Sequence, residues 1–406
     1  MRVSTAMLYD LGVGSIHRQT SSLLHTQQQV ATGRRILAPS DDPVAAARAL
    51  EVTQSKEINA QYSENQGNAK AALGLEESQL TSVGDLIQYV RQRAVQAGNT
   101  VLSDADRRAI AADLRNQFGQ LLGVANATDG SGQYLFSGYQ GSNKPFSGSV
   151  EGGVAYAGDD GQRLLQVSAS RQMAVSDSGN DAFMRIRNGN GTFATAASAG
   201  NTGSGIIDAG NVTNPAAATR HDYTINFSVA GGVTTYTVVD QSTTPAPTTV
   251  VPSTTYTSGA AISFDGISLT ITGAPANGDS FTVAPSTSQS LFATVANLIT
   301  ALESSVGVAG GATRLSNNIN QALTNLDQAQ ENILTLRAAI GSRQVELDAL
   351  SDMGDDLDLQ YADTLSRLQD VDYAEAISRL TREQTYLEAA QKSFLRVSGL
   401  SLFNYV

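Results

Sequence analysis

Apolar residues recur every seven positions through the last third of the chain. Ile319, Leu326, Ile333, Ile340 and Leu347 form one series. Leu315, Ala322, Ala329, Leu336, Leu350 and Leu357 form a second, interleaved at 4-3 spacing, which Arg343 breaks once. A seam of this kind, sustained over about six heptads, predicts a coiled-coil-like helix from about 312 to 368. Another seam follows in a shifted phase: Tyr373, Ile377, Leu380, Leu387 and Phe394. The shift predicts a break between 368 and 372.

The first third offers partners for these seams. Ile16, Leu23, Val30 and Leu37 share one heptad position, and Leu80, Val83, Ile87, Val90, Ala94, Ala97 and Val101 follow the 4-3 rule. Ile110, Leu114, Phe118 and Leu121 suit a shorter helix that folds back after Ser103-Asp104. Between the first two helices lies a connector, Pro39, Ser40, Asp41, Asp42 and Pro43. Pro39 would break a helix interior, whereas Pro43 suits the first helical position with Asp42 as N-cap. The expectation is a helix over 1–37, a connector at 38–42 and a helix restarting at Pro43.

In the middle the period changes to two. Tyr223, Ile225, Phe227 and Val229 alternate with polar residues, Gly231-Gly232 follows, and Val233–Val239 alternates again. This predicts a hairpin, as does the stretch from Ile262 to Ile271 around Asp265-Gly266. Gln133–Gly138 and Leu164–Val167 suggest an earlier hairpin at about 130–175. Segments 188–215 and 240–260, rich in Gly, Asn, Thr and Pro, read as surface loops. The order helix, strand, helix predicts an α+β fold: long coiled-coil-like helices from both ends enclose an inserted antiparallel β domain.

Composition narrows the function. Of 406 residues only 16% are charged, and the formal net charge is -12. An acidic chain is a poor partner for nucleic acid or an anionic membrane, both of which need a basic face. No run of about 18 apolar residues predicts a membrane span. The first ten residues lack the apolar core of a secretory signal, so export would follow another route. There is no cysteine, hence no disulfide and no thiolate chemistry. His17, His25 and His221 have no acidic neighbours at metal-site spacing and read as solvated side chains. The acidic run Asp352–Asp358 lacks calcium-loop spacing, and Asp159-Asp160-Gly161 reads as a turn. Phosphate loops, dinucleotide fingerprints and nucleophile elbows are all missing. No catalytic residue, cofactor or metal is expected.

The last residues, Leu395, Val397, Leu400, Leu402, Phe403, Tyr405 and Val406, are apolar where chain ends are usually polar. They need burial, either within the chain or against further copies.

Several stretches resemble the FlgL family of flagellar hook-associated proteins, relatives of flagellin. They are Met1-Arg-Val-Ser-Thr5, Gln29-Val-Ala-Thr-Gly-Arg-Arg35, Pro39-Ser-Asp-Asp-Pro43, Asp370–Leu380 and Ser398–Val406. The resemblance covers about 1–140 and 287–406, and not the middle. Flagellin has similar ends, but the prolines flanking Asp41-Asp42 and the final Phe403-Asn-Tyr-Val favour FlgL. The hook-side junction protein FlgK has an Asn-rich N-terminal stretch that is missing here.

The resemblance implies a structural subunit, not an enzyme, located in the extracellular hook–filament junction. It would leave by type III export, contact FlgK, flagellin and copies of itself in a ring, and meet a cytoplasmic export chaperone. It also implies three layers. These are an inner coiled coil (1–40 and 369–406), a helical rod with a small β element (41–180 and 286–368) and an outer β domain (181–285). Assembly contacts would fall on Ile16, Leu23, Val30, Tyr373, Ile377, Leu380, Leu387, Phe394, Leu400, Leu402 and Phe403. The alternatives are filament flagellin and a secreted glycan-binding protein.

Overall fold

A computed structural model of the chain describes residues 5–304, 307 and 309–399. The fold is α+β, with helices at both ends and antiparallel sheets between them. The helices are α1 (Thr5–Thr32), α2 (Pro43–Ala97), α3 (Asp104–Ala125), α4 (Leu291–Glu303), α5 (Gly311–Gln369) and α6 (Tyr373–Gly399). The chain divides into two compact units: residues 1–65 with 349–406, and residues 66–348. Helices α2 and α5 contribute to both.

In the second unit α2 and α5 run antiparallel. Arg91 pairs with Asp327, Glu77 with Arg337, and Lys70 with Asp348. The seam they bury includes Leu80, Val83, Ile87 and Val90 from α2, and Leu315, Ile319, Leu326, Ile333, Ile340 and Leu347 from α5. Val101 does not join it: α2 stops at Ala97, and Val101 is 87% exposed. The next helix starts at a capping box. The Ser103 hydroxyl accepts from Asp106 N–H, and the Asp106 carboxylate accepts from Ser103 N–H. Its buried face, Ile110, Leu114, Phe118 and Leu121, packs on α4, which is apolar nearly all round.

Between α3 and α4 lie fifteen short strands. The first four are β1 (Phe146–Ser149), β2 (Gly153–Tyr156), β3 (Leu164–Ser168) and β4 (Arg171–Ala174). They form two separate hairpins, β1-β2 and β3-β4, instead of the single hairpin expected over 130–175. Gln133–Gly138 is not a strand; Phe136 there is fully buried and stacks edge-on against Phe183. Phe146, Phe183, Phe292 and Phe118 of α3 extend this aromatic cluster, with neighbouring ring centroids 5.3 to 6.0 Å apart.

The remaining strands are β5 (Ile186–Arg187), β6 (Phe193–Ala197), β7 (Ile206–Ile207), β8 (Asn211–Val212), β9 (Tyr223–Ala230), β10 (Val233–Asp240), β11 (Thr248–Thr255), β12 (Ala261–Phe264), β13 (Ile267–Thr272), β14 (Ser280–Pro285) and β15 (Ser288–Gln289). One sheet has the order β11-β10-β9-β14-β6; a second is built on β12-β13-β7 with β8. They share a core that includes Tyr223, Ile225, Phe227, Ile262, Phe264, Leu269, Ile271 and Phe281. Chain entry and exit lie side by side, because β5 pairs with β15.

Two segments expected as loops contain strands. β6 lies in 188–215 and β11 in 240–260, and both are sheet edges. Their composition hid them. β6 reads Phe-Ala-Thr-Ala-Ala, and β11 carries Pro252 beside the register shift opposite Tyr236–Val238. An edge strand tolerates proline because its outer N–H has no ladder partner to lose.

Helix α5 holds the β region through its asparagines. Asn317 Oδ1 accepts from Ile207 N–H at 3.0 Å, and Asn325 Oδ1 accepts from Gly189 N–H at 2.8 Å. Asn332 Nδ2 donates to Asp181 O at 2.9 Å.

Candidate assembly surface

In the first unit α1 and α6 pair antiparallel. Gly12 lies against Phe394, Ser22 against Glu383 and Gly33 against Tyr373. On α1, Ile16, Leu23 and Val30 alternate at 4-3 spacing with Gly12, Gln19 and Thr26, and Gly33 just past the helix end continues the series. On α6, Tyr373, Leu380, Leu387 and Phe394 alternate with Ala376, Glu383 and Ala390. The seam is therefore a full heptad pattern whose alternate positions are small or polar. That is why a search for apolar residues finds only half of it.

Close approach is built in at Gly12. A Cβ there would sit 2.6 Å from Phe394 Cδ2, and the Phe394 ring lies 5.0 Å from that of Tyr9. Glu383 is also tied across the seam, since Ser22 Oγ, beside Leu23, donates to its Oε1 at 2.8 Å.

The pair leaves much apolar surface uncovered. Ile16, Leu23, Val30, Leu380, Leu387 and Phe394 are only half-buried. Tyr373 is 52% exposed, as is Ile377, which lies off the α1-facing seam. Met7, Leu11, Leu24 and Tyr386 are also more than half exposed. Exposed apolar patches of large area are uncommon on monomeric soluble proteins. Leu400, Leu402 and Phe403 lie outside the described residues.

The helix ends are tied together by two connectors. Helix α1 stops at Thr32, not at residue 37, because Gly33 adopts φ +70, the left-handed conformation that ends helices. Val371 N–H then donates to Gly33 O at 2.9 Å, and Arg35 N–H to Gln369 O at 2.6 Å. The Arg35 guanidinium reaches Leu368 O at 2.8 Å and Asp42 at 3.3 Å.

Asp41 accepts from Ala38 and Leu37 N–H, both at 2.9 Å, and has His25 Nε2 at 3.3 Å. Those two N–H groups first, and His25 after them, hold its carboxyl below the usual range. Asp42 caps α2 by accepting from Ala45 N–H at 3.0 Å, with Pro43 the first helical residue. That bond, with Arg35, likewise lowers its pKa. Pro39 and Ser40 lie exposed in the turn. The connector residues thus shape the joint between α1 and α2. Among the described residues there is no cluster of three or more metal-ligating side chains, and no helix is long and apolar enough to cross a membrane.

Comparison with known proteins accounts for the whole chain. Residues 3–141 match the bacterial flagellin N-terminal helical region, and 317–406 the bacterial flagellin C-terminal helical region. Residues 196–285 match the D2-like domain of flagellar hook-associated protein 1. Flagellar hook-associated protein 3 of Escherichia coli (strain K12) is 29% identical over 403 residues, 99% of each chain. The crystal structure of the flagellar junction protein FlgL from Legionella pneumophila is 32% identical, with a TM-score of 0.72. The match covers 80% of this chain and 100% of that one. The chain belongs to the FlgL family.

As an FlgL-family protein it is a component of the bacterial flagellum. The likeness to filament flagellin is narrower. Phase 1 flagellin of Salmonella naestved is 26% identical over 135 residues, 33% of this chain. Its flagellin-type helical ends enclose an inserted β region. The half-covered seam and the exposed Ile377 belong to those ends.

Proposed function

We propose that this protein forms the layer of the hook–filament junction between FlgK and the flagellin filament. The observation that carries this reading is the end-to-end match to hook-associated protein 3, where flagellin matches only a third of the chain. In this reading the protein is a structural subunit and performs no catalysis. It leaves the cell by type III export and joins copies of itself in a ring. FlgK lies on one side of the ring and flagellin on the other. Neither nucleic acid nor a membrane is a partner.

The exposed apolar residues of α1 and α6 support burial against neighbouring chains. With residues 1–40 and 369–406 they form the inner layer, residues 41–180 and 286–368 the helical rod, and residues 181–285 the outer domain. Before export, a cytoplasmic chaperone covers α6.

Deletion of the gene tests this. Mutant cells should release flagellin monomers into the medium and build no filament, and the wild-type gene should restore swimming. Filaments of normal length in the deletion strain would refute the proposal.

A further inference from the structure

A groove of about 410 Å³ runs between α4 and the start of α5. Its walls carry Gln289, Thr294, Asn297, Asn318, Gln321 and Asn325. Three of these are already engaged: Gln289 Nε2 donates to Thr294 Oγ1 at 2.9 Å, and Asn325 Oδ1 accepts from Gly189 N–H. Asn297, Asn318 and Gln321 are exposed, and their carboxamides have no hydrogen-bonding partner among the described residues. No charged or aromatic residue lines the groove.

That chemistry narrows the occupant. Carboxamides offer a donor and an acceptor each, which matches the N–H and C=O of an extended peptide. A sugar would gain from an aromatic platform, and a charged ligand needs a countercharge; the groove has neither. Charge narrows it further. At net charge -12, two copies of this chain repel over most approaches. The faces around the groove are almost free of charge: α4 has Glu303 alone, and residues 311–326 have Arg314 alone.

We infer that this groove receives an uncharged loop from a second copy of the same chain. The inference rests on the ring proposed above and adds the contact that joins its members.

The chain has no cysteine, so one introduced thiol can be labelled alone. Asn318→Cys, carrying a photo-crosslinker, is assembled in a motile complemented strain. The expected product is a dimer of this chain, with the crosslink mapped by mass spectrometry to an uncharged loop. A motile strain giving no self-dimer, or a crosslink to another protein only, overturns the groove and leaves the junction role intact.

The second variant is Asn297→Asp with Gln321→Glu, which adds two charges at nearly constant shape. It should melt like wild type and lower the yield of self-crosslinked dimer at least tenfold. Unchanged crosslinking with normal melting also overturns the inference. Failure of the wild-type gene to complement would instead count against the junction role.

Discussion

Arg343 and Asp177 meet in a two-pronged ion pair, with Nη1 3.0 Å from Oδ2 and Nη2 2.9 Å from Oδ1. Arg343 stands where the second heptad series of α5 lacks its apolar residue. The Asp177 side chain is 4% exposed and also accepts from Gln162 Nε2 at 2.8 Å. The break in the seam is thus a docking point for the segment after β4.

Removing the arginine should cost more than the restored heptad returns. Arg343→Met leaves a buried carboxylate without its countercharge, a loss of about 3–5 kcal/mol. The added apolar contact offsets about 1–2 kcal/mol of that. Urea unfolding should show a net loss, and Asp177→Leu in the same chain should recover most of it. Equal midpoints for Arg343→Met and wild type would contradict this account.

Glu76 lies in the same cluster, with Oε1 accepting from Asp177 N–H at 2.9 Å. Burial first, then the charge of Asp177, pushes its pKa from 4.5 to about 8. Between those values the folded chain holds a proton that the unfolded chain has released. Stability from this group is therefore full below pH 4.5 and is lost as pH rises through about 8. The slope approaches about 1.4 kcal/mol per pH unit. Glu76→Gln keeps the acceptor and removes the titration. The difference in unfolding free energy between wild type and Glu76→Gln should therefore shift steadily in favour of the variant from pH 5 to pH 8. A flat difference would mean that Glu76 titrates normally.

Much of this was legible in the chain. The seven-residue period located α5 and α6 and the break between them, because burial along one helix face writes itself into spacing. The cap at Asp42 and the hairpin at Gly231-Gly232 were legible for a similar reason: each is decided by neighbouring residues. The aromatic cluster was not. Phe118, Phe136, Phe146, Phe183 and Phe292 are far apart in sequence and share no period, so only the folded chain brings them together. The α1–α6 seam was half legible. Leu380 and Leu387 stood out, but Gly12 and Glu383 gave no apolar signal, and Ile377, which the spacing joins to the same seam, is 52% exposed and lies off the face that meets α1.

Gly12 tests the close approach of the two helices. Gly12→Val should force Phe394 aside, at about 1–3 kcal/mol for overpacking. A gain of a few tenths of a kcal/mol in helix propensity opposes this. Amide exchange in α1 and α6 should quicken, with residues 66–348 unaffected. Adding Phe394→Ala should slow it again. Unaltered exchange in Gly12→Val would show that the helices do not meet there.

Ile377 and Leu387 separate the two uses of α6. Leu387 is half-buried against α1, whereas Ile377 is 52% exposed and off that seam. Fully burying a leucine is worth about 1.5–3 kcal/mol, so Leu387→Asp should cost the isolated chain roughly half of that. Ile377→Asp should cost it little, because the aspartate stays hydrated. In the proposed ring both positions are covered by neighbouring chains. A carboxylate desolvated there without a partner costs several kcal/mol more, repeated in every copy. Both variants should therefore melt close to wild type as monomers and fail to support filaments in the deletion strain. Leu387→Met should rescue, since its volume is nearly the same. If Ile377→Asp swims normally while Leu387→Asp does not, the ring does not use the outer face of α6, and only pairing with α1 matters. If both swim, neither residue lies in an essential contact.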